Sequence, residues 1–326
     1  MKKLFVYFFI LTLVSCGGSF GDFSTSSTGV ASEILVVSQP DIWQGEFKDT
    51  VSAIFTDVMY GLPQPESRFS ILAIPNEKFT KILQPYRNIF IPEIDPSLEK
   101  SKLKLAHDKW ATPQTIVQLQ SPNRTKLIED FVRYKDQIMD YFHESELRRY
   151  QRLNDRSKDF AIINMIKEKY KFNFTIPKDY FVATKEDDFL WLRKEMSTMS
   201  HAILFYKVPY TDTKQFSSEE IIKIRNSFVN ENIPGSIEGS YMTTSLDVYL
   251  PESKVIDFKE MYAVETRGLW KLVNDFMGGP FVNICFTNPE GDQLYFIEGF
   301  VYAPENSKRD QIRQVEAILN TFEWVE

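Results

Sequence analysis

A histidine followed by glutamate on a helix begins a zinc-hydrolase site, and His143-Glu144-Ser145-Glu146-Leu147 opens in that way. The second ligand must stand one turn later, and Leu147 occupies that place. His107 and His201, the other histidines, share no ligand spacing with it, so the expectation is no metal site and no cofactor. Gly235-Ser236-Ile237-Glu238-Gly239 has its serine one position early for a nucleophile elbow and reads as a loop. No constellation in the chain specifies a reaction. Catalytic residues stay unassigned, and a binding or assembly role is favoured over an enzyme.

Two groups of residues could bind without reacting. Arg148, Arg152 and Arg156 stand four apart and align on one face of a helix. Such a ridge suits a carboxylate, a phosphate or an anionic glycan through bidentate contacts. Glu144, Glu146, Asp155 and Asp159 are near enough to neutralise it, and a salt-bridged face is the competing reading. The second group is Trp270 with Gly278 and Gly279. Glycines close to an aromatic permit either a sharp structural turn or the lip of a ligand cleft.

Two frameworks must position these side chains. Over residues 30–150, Glu33 to Ser38, Arg68 to Ile74, Arg87 to Ile91, Lys102 to Trp110 and Thr115 to Gln120 read as strands. Between them, Phe47, Val51, Phe55 and Val58 mark one helix, and Phe79, Ile82 and Leu83 a shorter one. That alternation predicts an α/β domain. Ser121-Pro122 announces a long helix with cap and first-turn proline, and Leu127, Phe131, Tyr134, Ile138 and Phe142 form its buried face. After a charged run from Glu144 to Lys158 the stripe resumes at Phe160, Ile163, Ile166 and Tyr170.

Residues 151–326 predict mainly antiparallel strands, among them His201 to Val208, Val255 to Val264, Arg267 to Val273 and the hairpin from Phe281 to Ala303. One helix within them is capped by Ser217 with Glu220. A terminal helix is capped by Ser307 with Asp310 and carries Ile312, Val315, Leu319 and Phe322. The fold class is α/β plus α+β: two mixed-sheet domains joined by a long helical segment, the C-terminal half an α+β sandwich with a terminal helix.

Location is written at the start of the chain. Lys2 and Lys3 precede the apolar run Leu4 to Leu13, which is shorter than the ~20 residues of a membrane span and fits the ~7–15 residue core of a secretory leader. Leu13-Val14-Ser15-Cys16-Gly17 resembles the lipobox of bacterial lipoproteins. The resemblance implies that residues 1–15 are a signal peptide and that Cys16 becomes the lipidated N-terminus, its amine carrying a further acyl group such as palmitate. Two or more chains give the stable anchoring that one does not. Residues 16–29, mostly Gly, Ser and Thr after the cysteine, read as a flexible tether of roughly 20 Å. Gly17-Gly18-Ser19-Phe20 lacks the acidic run common in surface-exported lipoproteins of Bacteroidota. The expected location is therefore the cell envelope, at the periplasmic face of the outer membrane, with the membrane itself as a partner through the lipid.

Composition bounds the body that is tethered. With 43% hydrophobic residues, 27 Phe and 15 Tyr, the 326-residue chain can bury a sizeable core. Loss of Lys2 and Lys3 with the leader takes the formal charge from −7 to −9, which excludes nucleic acid as a partner because phosphates would repel it. Cys285 is the second of two cysteines and, with Cys16 lipidated, has no disulfide partner; it reads as a buried strand thiol.

Over nearly its whole length the chain resembles an uncharacterised lipoprotein family of Bacteroidota, a domain of unknown function. The stretches that carry this are Leu62-Pro63-Gln64-Pro65-Glu66, Arg87-Asn88-Ile89, Trp110-Ala111-Thr112-Pro113-Gln114, Gly268-Leu269-Trp270, Met277-Gly278-Gly279-Pro280-Phe281, and Gly299-Phe300-Val301-Tyr302-Ala303-Pro304 with Lys308-Arg309. The second half is also similar in element order to the Mog1 and PsbP-like sandwiches. The resemblance implies a location and no activity. The expectation is a binding or assembly module for an envelope protein or glycan, with a hydrolase or glycan-processing enzyme using Asp and Glu in an interdomain cleft as the alternative. Replacing the anchor residue tests the location: Cys16→Ala is expected to lose fatty-acid labelling and to accumulate with its leader uncleaved, read by metabolic labelling and an immunoblot.

Overall fold

The computed structural model describes residues 25–325. Cys16 and the signal peptide lie outside the described residues. The first domain is built on strands β1 (Glu33–Ser38), β2 (Ser70–Pro75), β3 (Asn88–Ile94), β4 (Lys102–His107) and β5 (Thr115–Ser121). They form one sheet in the order β2-β1-β3-β5-β4, parallel except at the edge, where β4 runs against β5. A strand between parallel neighbours is covered on both faces, and β1 accordingly buries Ile34 and Val36 on one side, Leu35 and Val37 on the other. On the first face pack α1 (Gly45–Phe55) and the start of α2 (Arg124–Asp155). Phe55 sits among Phe90, Phe131 and Phe142, with rings meeting edge to face at 5.5 to 5.9 Å.

Irregular chain covers the opposite face. Phe79, Leu83 and Trp110 pack there on Leu35, Val37 and Ile89. The short helix expected over Phe79, Ile82 and Leu83 does not form. A 3-10 turn at Asn76–Lys78 runs into further turns, and Ile82 is exposed. Two anchored side chains do not repay the nucleation of so short a helix. Residues 25–29, the part of the expected tether within the described residues, lie against this domain: Thr28 N donates to Pro85 O at 2.8 Å and Arg149 Nη2 to Ser27 Oγ at 2.8 Å.

Helix α2 has 32 residues, roughly 48 Å at 1.5 Å per residue, and joins the two domains. Its cap is Asn123, whose side chain accepts from Lys126 N at 2.9 Å. The expected cap, Ser121, instead ends β5 and donates to Asp130 Oδ2 at 3.1 Å.

The second domain continues with α3 (Phe160–Tyr170), β6 (Phe172–Asn173), β7 (Phe181–Lys185), β8 (Phe189–Glu195), β9 (Ser200–Pro209), α4 (Ser218–Asn232), β10 (Tyr241–Ser245), β11 (Glu252–Phe258), β12 (Met261–Val273), β13 (Gly278–Thr287), β14 (Gln293–Tyr302), α5 (Arg309–Leu319) and β15 (Glu323–Trp324). An antiparallel sheet runs β10-β12-β13-β14-β9-β8-β7, with β11 also paired to β12, while β6 pairs β15 apart from it. Helices α3 and α5 cover one face and α4 the other. Both faces being covered, β14 is apolar nearly throughout, Phe296 and Phe300 facing α4 and Ile297 and Val301 facing α5.

Two boundaries in the second sheet differ from the sequence pattern. The hairpin between β11 and β12 turns at Lys259 and Glu260, both at positive φ, rather than near residue 265. Gly278 and Gly279 belong to β13 and form no turn. A Cβ on Gly279 would meet Val301 O at 2.0 Å, so glycine there serves close strand packing.

One buried ion pair pins α4 to the sheet. Arg225 and Glu298 are both fully buried, joined by Arg225 Nε at 2.9 Å and Nη2 at 2.7 Å, with Asn283 Nδ2 donating to the same carboxylate at 3.1 Å. Removing one partner strands the other charge in an apolar interior. Arg225→Ala is therefore expected to cost about 3–5 kcal/mol in urea unfolding, and Arg225→Met with Glu298→Leu together less than the single change.

Candidate functional site

The sequence puts opposite charges at alternate positions on both arms of one hairpin. On β11 these are Glu252 and Lys254, and on β12 Glu265 and Arg267. The observed register sets Glu252 opposite Arg267 and Lys254 opposite Glu265, on one face of the sheet. That face looks across the domain seam to α2, and a cavity of about 280 Å³ lies between them. Asp57, Tyr60 and Arg68 from the α1 to β2 connection and Asp140 and His143 from α2 complete its wall, with Arg313 of α5.

The deep part of this cleft is an ion network. Arg267 grips Glu265 with two bonds, at 2.9 and 3.1 Å, and also donates to Glu316 of α5. Lys254 Nζ stands 3.2 Å from the same Glu265. Burial alone would raise the Glu265 carboxyl, but Arg267 and Lys254 outweigh it and hold the group below the usual range. Burial pushes His143 down to about 4, against the pull of Glu316, so the imidazole is neutral near pH 7. Its Nε2 lies 3.7 Å from Glu316 Oε1, too far for a hydrogen bond.

The mouth is different. Asp140 keeps an exposed edge, yet partial burial raises its pKa against the opposing effect of Lys254 and Arg68. Arg68, Asp57, Asp140 and Glu252 enter no ion pair among the described residues.

Helix α5 ties the seam together. Its N-terminus is capped from the other domain: Glu66 accepts from Lys308 N at 2.7 Å and Arg309 N at 3.0 Å. The expected box of Ser307 with Asp310 is not used; Lys308 holds the cap position without a side-chain bond, and Asp310 instead accepts from Ser32 Oγ at 2.5 Å. Arg313, almost fully buried, donates to Arg68 O at 2.9 Å and to Ser32 Oγ. Glu146 of α2, fully buried, accepts from Arg87 at 3.1 Å and Asn88 at 2.8 Å.

The sequence-derived candidates fall elsewhere. Arg148 donates to Thr115 Oγ1 at 2.7 Å and meets His107 Nδ1 at 2.9 Å, so it braces the edge of the first sheet. Arg152 is half-buried and Arg156 exposed at the helix end. None of the three pairs with a carboxylate among the described residues. Three of the four acids named as their neutralisers are engaged otherwise: Glu146 by Arg87, Asp155 by Lys158, and Asp159 as the cap of α3. Trp270 lines a separate cavity, its Nε1 donating to Val301 O at 3.1 Å, while Gly278 and Gly279 lie within the sheet. Cys285 is buried in β13 and burial raises its thiol pKa, which keeps it unreactive.

Among the described residues no cluster of His, Cys, Asp and Glu is arranged to hold a metal, and no helix is long and apolar enough to cross a membrane. Asp140, Glu265, Arg267 and Glu316 are functional residues that the sequence motifs do not mark. The alternating charges of β11 and β12 are the one local signal for Glu265 and Arg267, and it shows only with the turn at Lys259 and Glu260.

The fold and seam define a two-domain mixed α/β protein with a charged cleft between its domains. The chain belongs to the DUF4837 family, a domain of unknown function, whose model matches residues 159–321, half of the chain. A second model, DUF8532, also a domain of unknown function, matches residues 27–155. No curated protein matches the chain. Among solved structures, a mutant of protein Mog1 is similar at 9% identity and TM-score 0.31, over 48% of this chain and 92% of that one. A crystal structure from Bacteroides thetaiotaomicron VPI-5482 is similar at 11% identity and TM-score 0.21, over 48% and 46%. The human StarD13 (DLC2) lipid transfer and protein localization domain is similar at 14% identity and TM-score 0.22, over 51% and 98%.

A depressed histidine pKa makes stability depend on acid. The folded state binds the His143 proton less readily than the unfolded chain, so its contribution is full above about pH 6.5 and declines as pH falls toward 4. By linkage the loss is roughly 3 kcal/mol. His201, also pushed down to about 4 by burial, acts in the same window. In urea unfolding at pH 7 and pH 4.5, His143→Gln is expected to lose less stability on acidification than the wild type, by about 2 kcal/mol.

Proposed function

We propose that this protein is a lipoprotein of the bacterial envelope, moored through Cys16 at the periplasmic face of the outer membrane, and that it works by binding. Its partner is a hydrophilic envelope component, a glycan or a protein segment, taken up at the seam between the domains. One observation carries the binding reading. The deep carboxylates, Glu265 and Glu316, are occupied by Arg267, whereas Arg68, Asp57 and Glu252 line the same cleft without an ion-pair partner among the described residues. A polar cleft with unspent hydrogen-bonding groups at its mouth recognises a polar ligand. The anchor rests on Lys2, Lys3, the apolar run and the lipobox-like Leu13-Val14-Ser15-Cys16.

A specific observation favours a second reading, hydrolysis of an envelope glycan. Asp140 is raised and Glu265 lowered beside the same cavity, and divergent carboxyl pKa values are how an acid and a base are assigned. The two readings separate on one comparison. In-cell crosslinking of the anchored protein is expected to capture a discrete glycan or protein that Glu252→Lys and Arg68→Glu release, with Asp140→Asn retaining capture. Cleavage of envelope glycans by the purified protein, abolished by Asp140→Asn, would overturn the binding reading in favour of the second.

A further inference from the structure

On the α4 side of the second sheet, β8, β9, β12 and β14 and the loop after α4 surround a cavity of about 380 Å³. It lies away from the seam cleft and shares no lining residue with it. Its volume is in the ~300–1,000 Å³ range of small-molecule sites. Trp191, Trp270, Phe300 and Tyr302 give it aromatic walls, with Trp270 5.3 Å from Phe300 and 6.3 Å from Tyr302, centroid to centroid. These rings come from alternate positions on one face of three strands, which is why the sheet gathers them.

The wall carries one charged side chain. Arg193 lines the cavity with the hydroxyls of Ser200 and Ser236, the His201 ring is bonded to Gln311 of α5 at 2.9 Å, and no acidic side chain lines it. The Arg193 guanidinium lies 4.9 Å from the Trp191 ring centre and pairs with Glu195, but both are part-exposed and the remaining N–H groups stay free to donate. Trp191 is 8% exposed, and its Nε1 is buried with no acceptor among the described residues. That nitrogen presents no surface to the cavity, so Arg193 is the group that can meet a ligand head. The Trp270 N–H is taken by Val301 O.

We propose that this cavity binds a small amphipathic carboxylate, its apolar body against the tryptophans and its head toward Arg193. Aromatic and aliphatic walls supply the non-directional part of the affinity, and the Arg193 guanidinium, the one charged group of the lining, favours an anionic head over a cationic one. Pro234, Gly235 and Ser236 of the loop after α4 form one wall, and that loop is held by Ser236 Oγ donating to Asp275 at 3.2 Å and Asn274 Nδ2 donating to Gly239 O at 3.3 Å.

The test uses the mature chain, residues 16–326 with Cys16→Ser, and two probes of equal chain length, decanoate and decylammonium. Titration calorimetry with tryptophan fluorescence is expected to show one saturable decanoate site and at least tenfold weaker decylammonium. Arg193→Gln is expected to weaken decanoate about tenfold, as loss of a charge-assisted bond, and Ser236→Trp, on the exposed loop, to block it. Trp191→Phe, which trims the indole to a phenyl, reads the aromatic wall separately and is expected to weaken decanoate several-fold. No saturable binding, equal affinity for the two probes, or unchanged decanoate binding by Ser236→Trp with native circular dichroism would each overturn the proposal.

Discussion

Helix α5 is buried on both sides, and that single constraint organises the molecule. One face, with Ile312, Val315, Ile318 and Leu319, is core of the second domain. The other carries Arg313 and Glu316, which are as buried as the apolar residues. Charges at that depth are tolerable only when paired, and their partners come from elsewhere: Arg68 O and Ser32 for Arg313, Arg267 for Glu316. Glu66 then caps the helix from the first domain. Separating the domains would take Arg68 O and Ser32 from Arg313 and Glu66 from the α5 N-terminus, while Glu316 would keep Arg267, so these cross-domain bonds fix the register of the seam.

Everything of functional interest at the seam follows from that register. The cleft exists because α2 faces the charged side of β11 and β12 across α5. Its inner carboxylates are spent on structure, while its mouth keeps charged groups available. The same logic explains where the family-resembling stretches went. Glu66 caps α5, Arg87 and Asn88 hold Glu146, Gln114 Nε2 bonds Gln84 O and Tyr86 O, and the amides of Lys308 and Arg309 bond Glu66. These residues are fasteners: Glu66, Lys308 and Arg309 hold the seam, while Arg87, Asn88 and Gln114 hold the first domain together. The cavity behind Trp270 depends on a different feature, the covered outer face of the second sheet, and so is independent of the seam.

Much of the architecture was legible because it rests on local periodicity. The apolar runs of β1, β9 and β14 and the three-and-four spacing of α2, α3 and α5 each mark an element without reference to any other. Local signals also misled where tertiary partners decide the outcome. Ser307 with Asp310 looked like a cap, but Glu66, more than two hundred residues away in sequence, does that work. Phe79, Ile82 and Leu83 had helical spacing, but a stripe with Ile82 in solvent has nothing to fold against. Gly278-Gly279-Pro280 had the composition of a turn, but the approach of Val301 O requires glycine inside a strand.

The candidate site was the least legible part. Arg148, Arg152 and Arg156 stood out because their spacing is a property of one helix, whereas the seam cleft draws on five segments that only folding brings together. By itself the sequence determined most of the element order, the α/β character of both halves and the buried state of Cys285, since hydrophobic periodicity is a short-range code. Only the tertiary structure decided which charges are paired and which remain free, because pairing depends on distances between residues far apart along the chain.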